Sequence, residues 1–296
     1  MKRVVSSLYQ IGKNVSATLQ EILNAENIAP QLQSAAIDAV LSGGKRVRPF
    51  LVVETAKLFG LNDSRVLRVA GALECVHCYS LVHDDLPAMD DDDMRRGQPT
   101  IHKKYDEATA ILAGDGLLTL AFQILADVKT SKDASVRSDL VLALAKGSGM
   151  NGMVGGQMLD LQAENSNIAL TQDEVENLQD LKTGKLVHAA VEMGAIMGGA
   201  CDEKRQALYI YAKNIGLSFQ IADDLLDALG DVSVMGKSIN KDAVKNKATF
   251  VSLLGIDGAK EYARKLIVDA KSALKIFGED GESLSLLADF IIDRDS

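Results

Sequence analysis

Two clusters of aspartate residues are the part of the sequence best suited to chemistry. The first places six carboxylates within ten residues, from Asp84 to Asp93. The second, Asp223-Asp224-Leu225-Leu226-Asp227, lies in an apolar segment, where Asp223 and Asp227 would share one face of a helix. Such carboxylates repel one another, and burying them without a cation is costly. Oxygen-only ligands favour Mg2+, which binds one or two carboxylates and completes its octahedron with water and phosphate oxygens.

Basic residues near these clusters supply the other half of a phosphate site. Three cations follow two glycines in the segment from Gly43 to Pro49, and Arg95-Arg96-Gly97 follows the first cluster directly. Further cations come from Lys182-Thr183-Gly184-Lys185 and, beyond the second cluster, from Lys237 and Lys247. Each of them alone could be a solvated surface residue, but their repeated placement beside acids or glycines favours phosphate binding. The first segment is not a P-loop, because it lacks the GxxxxGK[ST] spacing.

Other metal sites fit the spacing poorly. A solvated acidic turn would explain the first cluster alone, but not acids in the middle of an apolar helix. An EF-hand would require Asp or Asn at Met94 and glycine at Arg95. Cys75 and Cys78 form a CxxC pair in an apolar stretch without a second pair, so they are better explained as core thiols than as zinc ligands.

Helical periodicity predicts the elements that position these residues. Only four prolines occur among 296 residues, and apolar residues recur three and four positions apart. One such stripe consists of Ile215, Phe219, Ala222, Leu226 and Leu229, which we expect to face a core. The pattern predicts helices at about 65–86, 108–127, 136–164, 173–200 and 204–229. We therefore expect an all-α fold, a single helical domain over residues 1–296 with no internal repeat.

Charge and composition exclude several classes of function. A formal net charge of -9 disfavours broad nucleic-acid binding. The three cysteines are an odd number and do not suggest a disulfide scaffold, so we expect a reducing cytoplasm. The start of the chain lacks a sustained apolar run, and no uncharged apolar stretch of about 18 residues follows, so we expect no membrane span.

The motifs together closely resemble those of the short-chain trans-isoprenyl diphosphate synthases, and particularly the bacterial farnesyl diphosphate synthases. Asp84-Asp85-xxxx-Asp90 is similar to the first aspartate-rich motif of that family in its longer bacterial spacing, and Asp223-Asp224-xx-Asp227 to the second. Gly43-Gly44-Lys45-Arg46-Val47-Arg48-Pro49 before the first motif and Arg95-Arg96-Gly97 after it match as well. The likeness covers nearly the whole chain. It implies a helical bundle of the isoprenoid synthase type with a central substrate cavity, and a homodimer.

The resemblance also implies roles for individual residues. Three Mg2+ ions would be bound by Asp84, Asp90 and Asp223, supported by Asp85, Asp224 and Asp227. Isopentenyl diphosphate would lie on Lys45, Arg48, His77 and Arg96. The allylic diphosphate, dimethylallyl or geranyl, would be held by Arg95, Lys182, Lys237 and Lys247, with Thr183 and Gln220 facing the reacting carbon. The residues expected to act in catalysis are Asp84, Asp90, Arg95, Lys182, Thr183, Gln220, Asp223 and Lys237.

The implied reaction is a head-to-tail condensation. Ionisation of the allylic diphosphate would give a carbocation, the double bond of isopentenyl diphosphate would add to it, and the departing diphosphate would take the proton. Tyr79 lies five residues before Asp84, roughly 7 Å along the helix at about 1.5 Å per residue. The tyrosine ring, with Ser80 beside it, would stop the product at the fifteen carbons of (2E,6E)-farnesyl diphosphate.

Several rival functions remain open. Geranyl and geranylgeranyl diphosphate synthases share the motifs. A class I terpene cyclase needs no second diphosphate site, and cyclase pockets are rich in aromatic residues, which make up only 4% of this chain. The dipeptide His83-Asp84 suggests an HD-type phosphohydrolase, but the other histidines are only His77, His102 and His188. A helical protein that merely binds cations or a partner through its acids would release no diphosphate.

Overall fold

Helices make up nearly all of the computed structural model, which describes residues 2–165, 170–234 and 249–293, with the backbone alone at 230–234. They are α1 (Lys2–Ala25), α2 (Pro30–Leu41), α3 (Val47–Lys57), α4 (Ser64–Asp84), α5 (Ile101–Lys104), α6 (Glu107–Ala126), α7 (Ala134–Ser148), α8 (Met153–Glu164), α9 (Gln172–Gln179), α10 (Lys185–Met197), α11 (Asp202–Val234), α12 (Phe250–Ala273) and α13 (Glu282–Asp293). A π-helical turn, Asp180–Gly184, joins α9 to α10, and a 3-10 segment, Leu274–Gly281, joins α12 to α13. A two-residue hairpin pairs β1 (Met94–Arg95) with β2 (Gln98–Pro99). The predicted all-α class is confirmed.

Two of the predicted helices are interrupted. The helix expected over 136–164 is two helices, α7 and α8, separated by a turn in which Gly152 N–H donates to the Gly149 carbonyl at 3.0 Å. A Cβ at Gly152 would collide with the carbonyl of Gly147, so the turn depends on glycine. The helix expected over 173–200 contains the π-helical turn, which periodicity alone does not reveal.

Packing divides the described chain into two compact units. The N-terminal unit comprises residues 2–142 with 196–199, and the C-terminal unit comprises 143–195 with 200–296 as far as these are described. The single domain over 1–296 stays a prediction, because compactness of the two units does not test whether they fold independently.

In the N-terminal unit, α4 is the central helix. It contacts α1, α2, α3 and α6, and it is buried over most of its length. Gly71 allows this close packing, because a Cβ there would lie 3.0 Å from the Leu19 side chain of α1. The Asp63 side chain caps the start of the helix by accepting from Arg65 N–H at 2.9 Å. The opposite end of α4 reaches the first aspartate motif.

In the C-terminal unit, α11 contacts α12, α13 and the π-helical turn. Its core face includes Ile221 and Leu225, which cluster with buried residues of α12. Ile215 and Ala222 are buried as predicted, whereas Leu229 is 40% exposed. The predicted stripe was therefore wrong at its last residue, because the buried face of α11 follows Ile221 and Leu225 instead.

One helix of the described residues, α6, is long and apolar enough to cross a membrane by length and composition. Half of its most apolar window is buried within the structure, and core helices of globular proteins meet the same criteria. The absence of a membrane span remains a prediction.

Candidate active site

The first aspartate motif closes the end of α4. After Asp84 the chain turns back, and Asp90 N–H donates to the Asp84 carbonyl at 2.8 Å. Asp92 N–H donates to the Asp85 carbonyl at 3.3 Å, which continues the turn. Asp84 and Asp90 are both half-buried. The backbone therefore holds the two predicted metal ligands at the same end of the helix.

The hairpin that follows brings a cation to this motif. Arg95, on β1, donates from Nε to Asp85 Oδ1 at 2.6 Å and lies 3.8 Å from Asp92. Asp85 is only 3% exposed. Burial raises the pKa of Asp85 above its usual value, although the charge of Arg95 opposes the shift. Asp85 thus forms an ion pair that fixes Arg95 beside the aspartates, while its predicted support of the metal ligands remains a prediction.

The residues predicted to bind isopentenyl diphosphate also converge in the N-terminal unit. The pKa of His77 lies well below its usual 6.5 because the ring is buried and because Arg48 and Arg96 are nearby. Arg96 donates from Nη1 to the Gly43 carbonyl. Gly44 makes room for that guanidinium, since a Cβ there would lie 2.6 Å from it. Three of the four predicted residues therefore form one basic group, and the fourth, the exposed Lys45, lies on the loop that Arg96 contacts.

Tyr79 and Ser80 lie one helical turn before the aspartates. Tyr79 is 7% exposed, and its ring stands edge-on to His83 with 5.7 Å between ring centroids. Burial, and secondarily the charge of Asp84, raise the pKa of Tyr79, so the phenol stays neutral close to the motif. The Ser80 hydroxyl donates to the His77 carbonyl of its own helix at 2.9 Å. The large ring, rather than the serine, is therefore the bulky feature of this face.

In the C-terminal unit, the π-helical turn carries Lys182 and Thr183. Lys182 Nζ donates to Asp160 Oδ2 of α8 at 2.5 Å. Gly156 lets α8 lie directly against the turn, because a Cβ there would collide with the Lys182 backbone nitrogen. Thr183 is 8% exposed. Single π-helical turns occur frequently at functional sites, and this one widens the helix where two predicted catalytic residues lie.

Helix α11 passes close to the same turn and carries the second aspartate motif. A Cβ at Gly216 would lie 3.2 Å from the Cα of Gly184. One turn later, Gln220 donates from Nε2 to Gln179 Oε1 at 2.8 Å. Asp223 is half-buried and Asp227 is exposed.

Asp224 has a structural role in addition to its place in the second motif. Its Oδ2 accepts a hydrogen bond from Phe250 N–H, the first residue of α12, at 2.8 Å. A carboxylate at a helix N-terminus satisfies a backbone donor that has no partner within the helix. Asp224 thus ties α11 to α12, while its predicted support of a metal ligand remains a prediction.

The structure collects the predicted residues into two groups. The N-terminal unit holds the first motif, Arg95 and the basic group, and the C-terminal unit holds the π-helical turn, Gln220 and the second motif. The predicted Lys237 and Lys247 lie outside the described residues. That the two groups meet around one substrate stays a prediction.

Comparison with known proteins decides the family. The polyprenyl synthetase family model matches residues 29–277. Farnesyl diphosphate synthase of Escherichia coli (strain K12) is 48% identical over 261 residues, 86% of each chain, and that of Micrococcus luteus is 43% identical over 93% of this chain and 94% of its own. The crystal structure of an FPP/GFPP synthase from Zymomonas mobilis superposes with a TM-score of 0.89 at 42% identity, covering 98% of this chain and 99% of that one.

The chain belongs to the polyprenyl synthetase family. The match extends over most of the chain and is well above the identity at which fold and family are shared. The family predicted from the two motifs is thereby confirmed, and with it the assignment of the chain as a prenyltransferase.

The donor atoms of this polyprenyl synthetase fit magnesium. Asp84 and Asp90 offer oxygen ligands at one end of α4, and Asp223 offers a third on α11. Within the described residues, no group of three or more His, Cys, Asp or Glu side chains is close enough to hold an ion alone. Mg2+ needs no such cage, because it usually takes one or two carboxylates together with substrate phosphates. The metal assignments remain predictions that this chemistry favours.

The two cysteines of the CxxC pair are structural in this polyprenyl synthetase. Cys75 and Cys78 are free thiols buried in α4. Burial raises the pKa of Cys78 to about 12 and that of Cys75 well above its usual value, so both stay protonated in this apolar interior. Their interpretation as core thiols is confirmed.

Three residues with a place in the site escaped the sequence reasoning. Arg46 was counted among the cations of its loop, yet it is buried and paired with Glu74. Asp160, which holds Lys182, is a single acid in an apolar stretch and gave only a weak signal. Gln179, which holds Gln220, gave none, because nothing in local periodicity indicates a contact 41 residues away.

Proposed function

We propose that the chain condenses isopentenyl diphosphate with dimethylallyl and then geranyl diphosphate to give (2E,6E)-farnesyl diphosphate and diphosphate. The observation that carries this proposal is the pairing, on one unit, of an acidic motif with Arg95 and a separate basic group around His77, Arg48 and Arg96. Two diphosphates of one reaction need two such sites, whereas hydrolysis or cyclisation needs one. The similar farnesyl diphosphate synthases of Escherichia coli and Micrococcus luteus support the same function.

The carboxylates would hold the metal ions. Asp84, Asp90 and Asp223 are the proposed ligands of three Mg2+ ions, and their oxygen chemistry suits that ion. Bound Mg2+ supplies positive charge that stabilises the departing diphosphate.

Cationic side chains would bind the allylic diphosphate and stabilise the negative charge that grows on it. Arg95 is held in place by Asp85, and Lys182 by Asp160. Because these cations are already fixed, little reorganisation accompanies bond cleavage. Lys237 and Lys247 are proposed to assist them.

Isopentenyl diphosphate would lie on Lys45, Arg48, His77 and Arg96. The lowered pKa of His77 keeps the imidazole neutral at pH 7, so it offers one N–H without adding charge to the arginines. Thr183 and Gln220 would direct oxygen dipoles at the carbocation and exclude water, and the departing diphosphate would accept the proton.

Tyr79 would limit the product to fifteen carbons. Its ring is buried, is positioned edge-on to His83 and lies close to Asp84, where the growing tail leaves the diphosphate site. Ser80 stands next to it on α4. Geranyl or geranylgeranyl diphosphate as the main product is the second candidate for this site.

A product assay tests the function. The purified protein is incubated with Mg2+, isopentenyl diphosphate and dimethylallyl diphosphate, and the chain length of the products is measured. A dominant fifteen-carbon diphosphate supports the proposal. Longer or shorter products keep the reaction but remove Tyr79 as the stop. Absence of condensation here, together with release of a cyclic hydrocarbon and diphosphate from geranyl or farnesyl diphosphate supplied alone, would identify a cyclase instead.

We also propose that the protein is a cytoplasmic homodimer. Free cysteines are compatible with a reducing compartment. An apolar face of α6 is exposed, with Ile111 at 43% and Leu112 at 56% exposure, next to the exposed Ala108 and Gly116. A second copy of the chain would cover this face.

A further inference from the structure

Arg46 differs from the other cations of its loop because its side chain lies in the protein interior. It is 8% exposed, whereas its neighbour Lys45 is exposed. A buried arginine that is not aimed at substrate needs a structural partner, since an unpaired buried charge is strongly unfavourable.

The partners of Arg46 come from three helices. Its Nη1 donates to Glu74 Oε1 of α4, which is 2% exposed, and its Nη2 donates to the Val40 carbonyl near the end of α2. Its aliphatic part lies against Gly12 of α1, where a Cβ would come within 2.9 Å of Cγ. Burial is the largest single influence on the pKa of Arg46 and would lower it, but Glu74 and Cys78, through their charges and hydrogen bonds together, outweigh burial, and the pKa is raised. The side chain therefore fastens its loop to the interior of the N-terminal unit.

This attachment determines the backbone around the basic group. Arg46 adopts a left-handed conformation with φ of 52°, which is unfavourable for a residue with a Cβ. Its carbonyl accepts the Phe50 N–H at 3.1 Å and so begins α3, which carries Arg48 in its first turn. Such strain persists only where the surrounding contacts enforce it.

The outer side of the loop adjoins open space, although Arg96 contacts it at Gly43. A cavity of about 660 Å3 adjoins the loop at Ser42 and Gly43 and extends to Arg96. The loop therefore has open space on that side. On the inner side, the buried side chain of Arg46 ties the loop to α4 and α2.

We propose that the buried Arg46–Glu74 pair is a positioning device for the isopentenyl diphosphate site, because it fixes both the loop that carries Lys45 and the start of α3, which carries Arg48. The inference rests on the proposed function, because it assigns a role within the same site. Arg46 does not touch the substrate. It acts through its neighbours, since a shift of about 1 Å in a binding group already costs much of its contribution.

Variants can separate positioning from mere stabilisation. Replacing a buried ion pair by apolar residues of similar volume is often neutral or stabilising, so the double variant Arg46→Met/Glu74→Leu should fold. The double variant lacks the guanidinium group that donates hydrogen bonds to both Glu74 and the Val40 carbonyl. Arg46→Lys keeps the charge but loses one of the two contacts. Arg65→Gln, which removes an exposed pair with Asp63 on the same unit, is the matched control.

The readouts are the separate KM values for isopentenyl and geranyl diphosphate and the urea midpoint of unfolding. For the double variant we expect the KM for isopentenyl diphosphate to rise about 10-fold or more, with the KM for geranyl diphosphate within about 2-fold. Arg46→Lys should lie between the double variant and the wild type. Arg65→Gln should match the wild type in both KM values.

Three outcomes would overturn the proposal. A double variant with wild-type KM values would show that the pair only stabilises the fold, and equal rises in both KM values would show general loosening. Should the double variant not fold, Glu74→Gln takes its place, and an unchanged KM for isopentenyl diphosphate there counts against the proposal. Failure of the wild-type protein to consume isopentenyl diphosphate would instead refute the proposed function.

Discussion

At the scale of the residue, the candidate site contains basic side chains that ion pairs with aspartates hold in place in the absence of substrate. Arg95 is paired with Asp85, and Lys182 with Asp160. An exposed lysine or arginine would have to lose side-chain entropy on binding a diphosphate, whereas these groups have already been ordered by folding. In the proposed reaction, this arrangement would favour fast ionisation over tight binding of the intact substrate.

Tyr79 gives the first prediction at this scale. Tyr79→Ala removes a ring that is 7% exposed and should lengthen the product beyond fifteen carbons, because the tail then extends past α4 residue 79. Chain-length analysis of the products measures the change. Tyr9→Ala, at a ring that is 74% exposed on α1, is the control and should leave the product unchanged. An unaltered product in Tyr79→Ala would exclude the ring as the stop.

His77 gives a prediction about pH. Its folded pKa is well below the unfolded value near 6.5, because of burial and the nearby Arg48 and Arg96, so the unfolded chain binds the proton first. The contribution of His77 to the free energy of unfolding is therefore complete above pH 6.5. It is lost as the pH falls below 6.5, by up to about 1.4 kcal/mol per pH unit for one such group. His188, whose pKa burial also lowers, acts in the same direction.

Urea unfolding between pH 7 and 5.5 measures this dependence. In His77→Gln, the free energy of unfolding should decrease less between pH 7 and 5.5 than in the wild type, and the difference should be roughly the contribution of one histidine. His188→Gln is the matched variant in the other unit. If the free energy of unfolding of His77→Gln depends on pH as steeply as that of the wild type, then His77 does not have the lowered pKa that its burial and the nearby arginines predict.

At the scale of the element, the π-helical turn is the feature that separates this site from an ordinary helix. It inserts a widened turn between α9 and α10 and is packed tightly on α8 through Gly156. A regular helix would place Lys182 and Thr183 at a different angle. The extra backbone cost is offset by packing against α8 and α11.

Asp160 gives the prediction for this element. Asp160→Asn keeps the shape but removes the charge that holds Lys182, so kcat/KM for the allylic diphosphate should fall about 10-fold or more. The KM for isopentenyl diphosphate should stay close to wild type. Asp180→Asn, which breaks the neighbouring pair with Lys185, is the control and should have a smaller effect. Equal losses in both variants would contradict a specific role for Asp160.

The exposed face of α6 gives the second prediction at this scale. Leu112→Arg introduces a charge into the proposed interface, where burial without a partner is costly, and should shift the dimer towards the monomer. Light scattering coupled to size-exclusion chromatography measures the mass. Val128→Arg, at a residue 65% exposed just beyond α6, should remain dimeric. Dimers of unchanged stability in Leu112→Arg would place the interface elsewhere.

At the scale of the whole molecule, each unit contributes one aspartate motif together with its own cations. The N-terminal unit also supplies the basic group proposed for isopentenyl diphosphate, and the C-terminal unit supplies the π-helical turn. The proposed reaction requires both. The net charge of -9 makes these basic groups local exceptions on an acidic protein, which favours them as the proposed diphosphate sites.

Short-range patterns in the sequence were enough to predict the class of fold, the two aspartate motifs and the family. Helical periodicity and motif spacing depend on near neighbours, so they are visible without the packing. The ends of α4 and α6 were predicted within two residues for this reason. The same locality explains why Asp84 and Asp223 stand out from the spacing of the acids alone.

Tertiary contacts, in contrast, distinguish the exposed cations proposed to bind substrate from the buried cations that hold the fold. Arg46 and Lys45 are adjacent and both basic, yet one is buried against Glu74, 28 residues away, and the other is exposed. Local sequence patterns likewise did not predict three other features: the partner of Lys182, the break between α7 and α8, and the exposure of Leu229. Each depends on contacts between residues distant in the chain, and burial makes those contacts decisive because a charge removed from water must find its partner there.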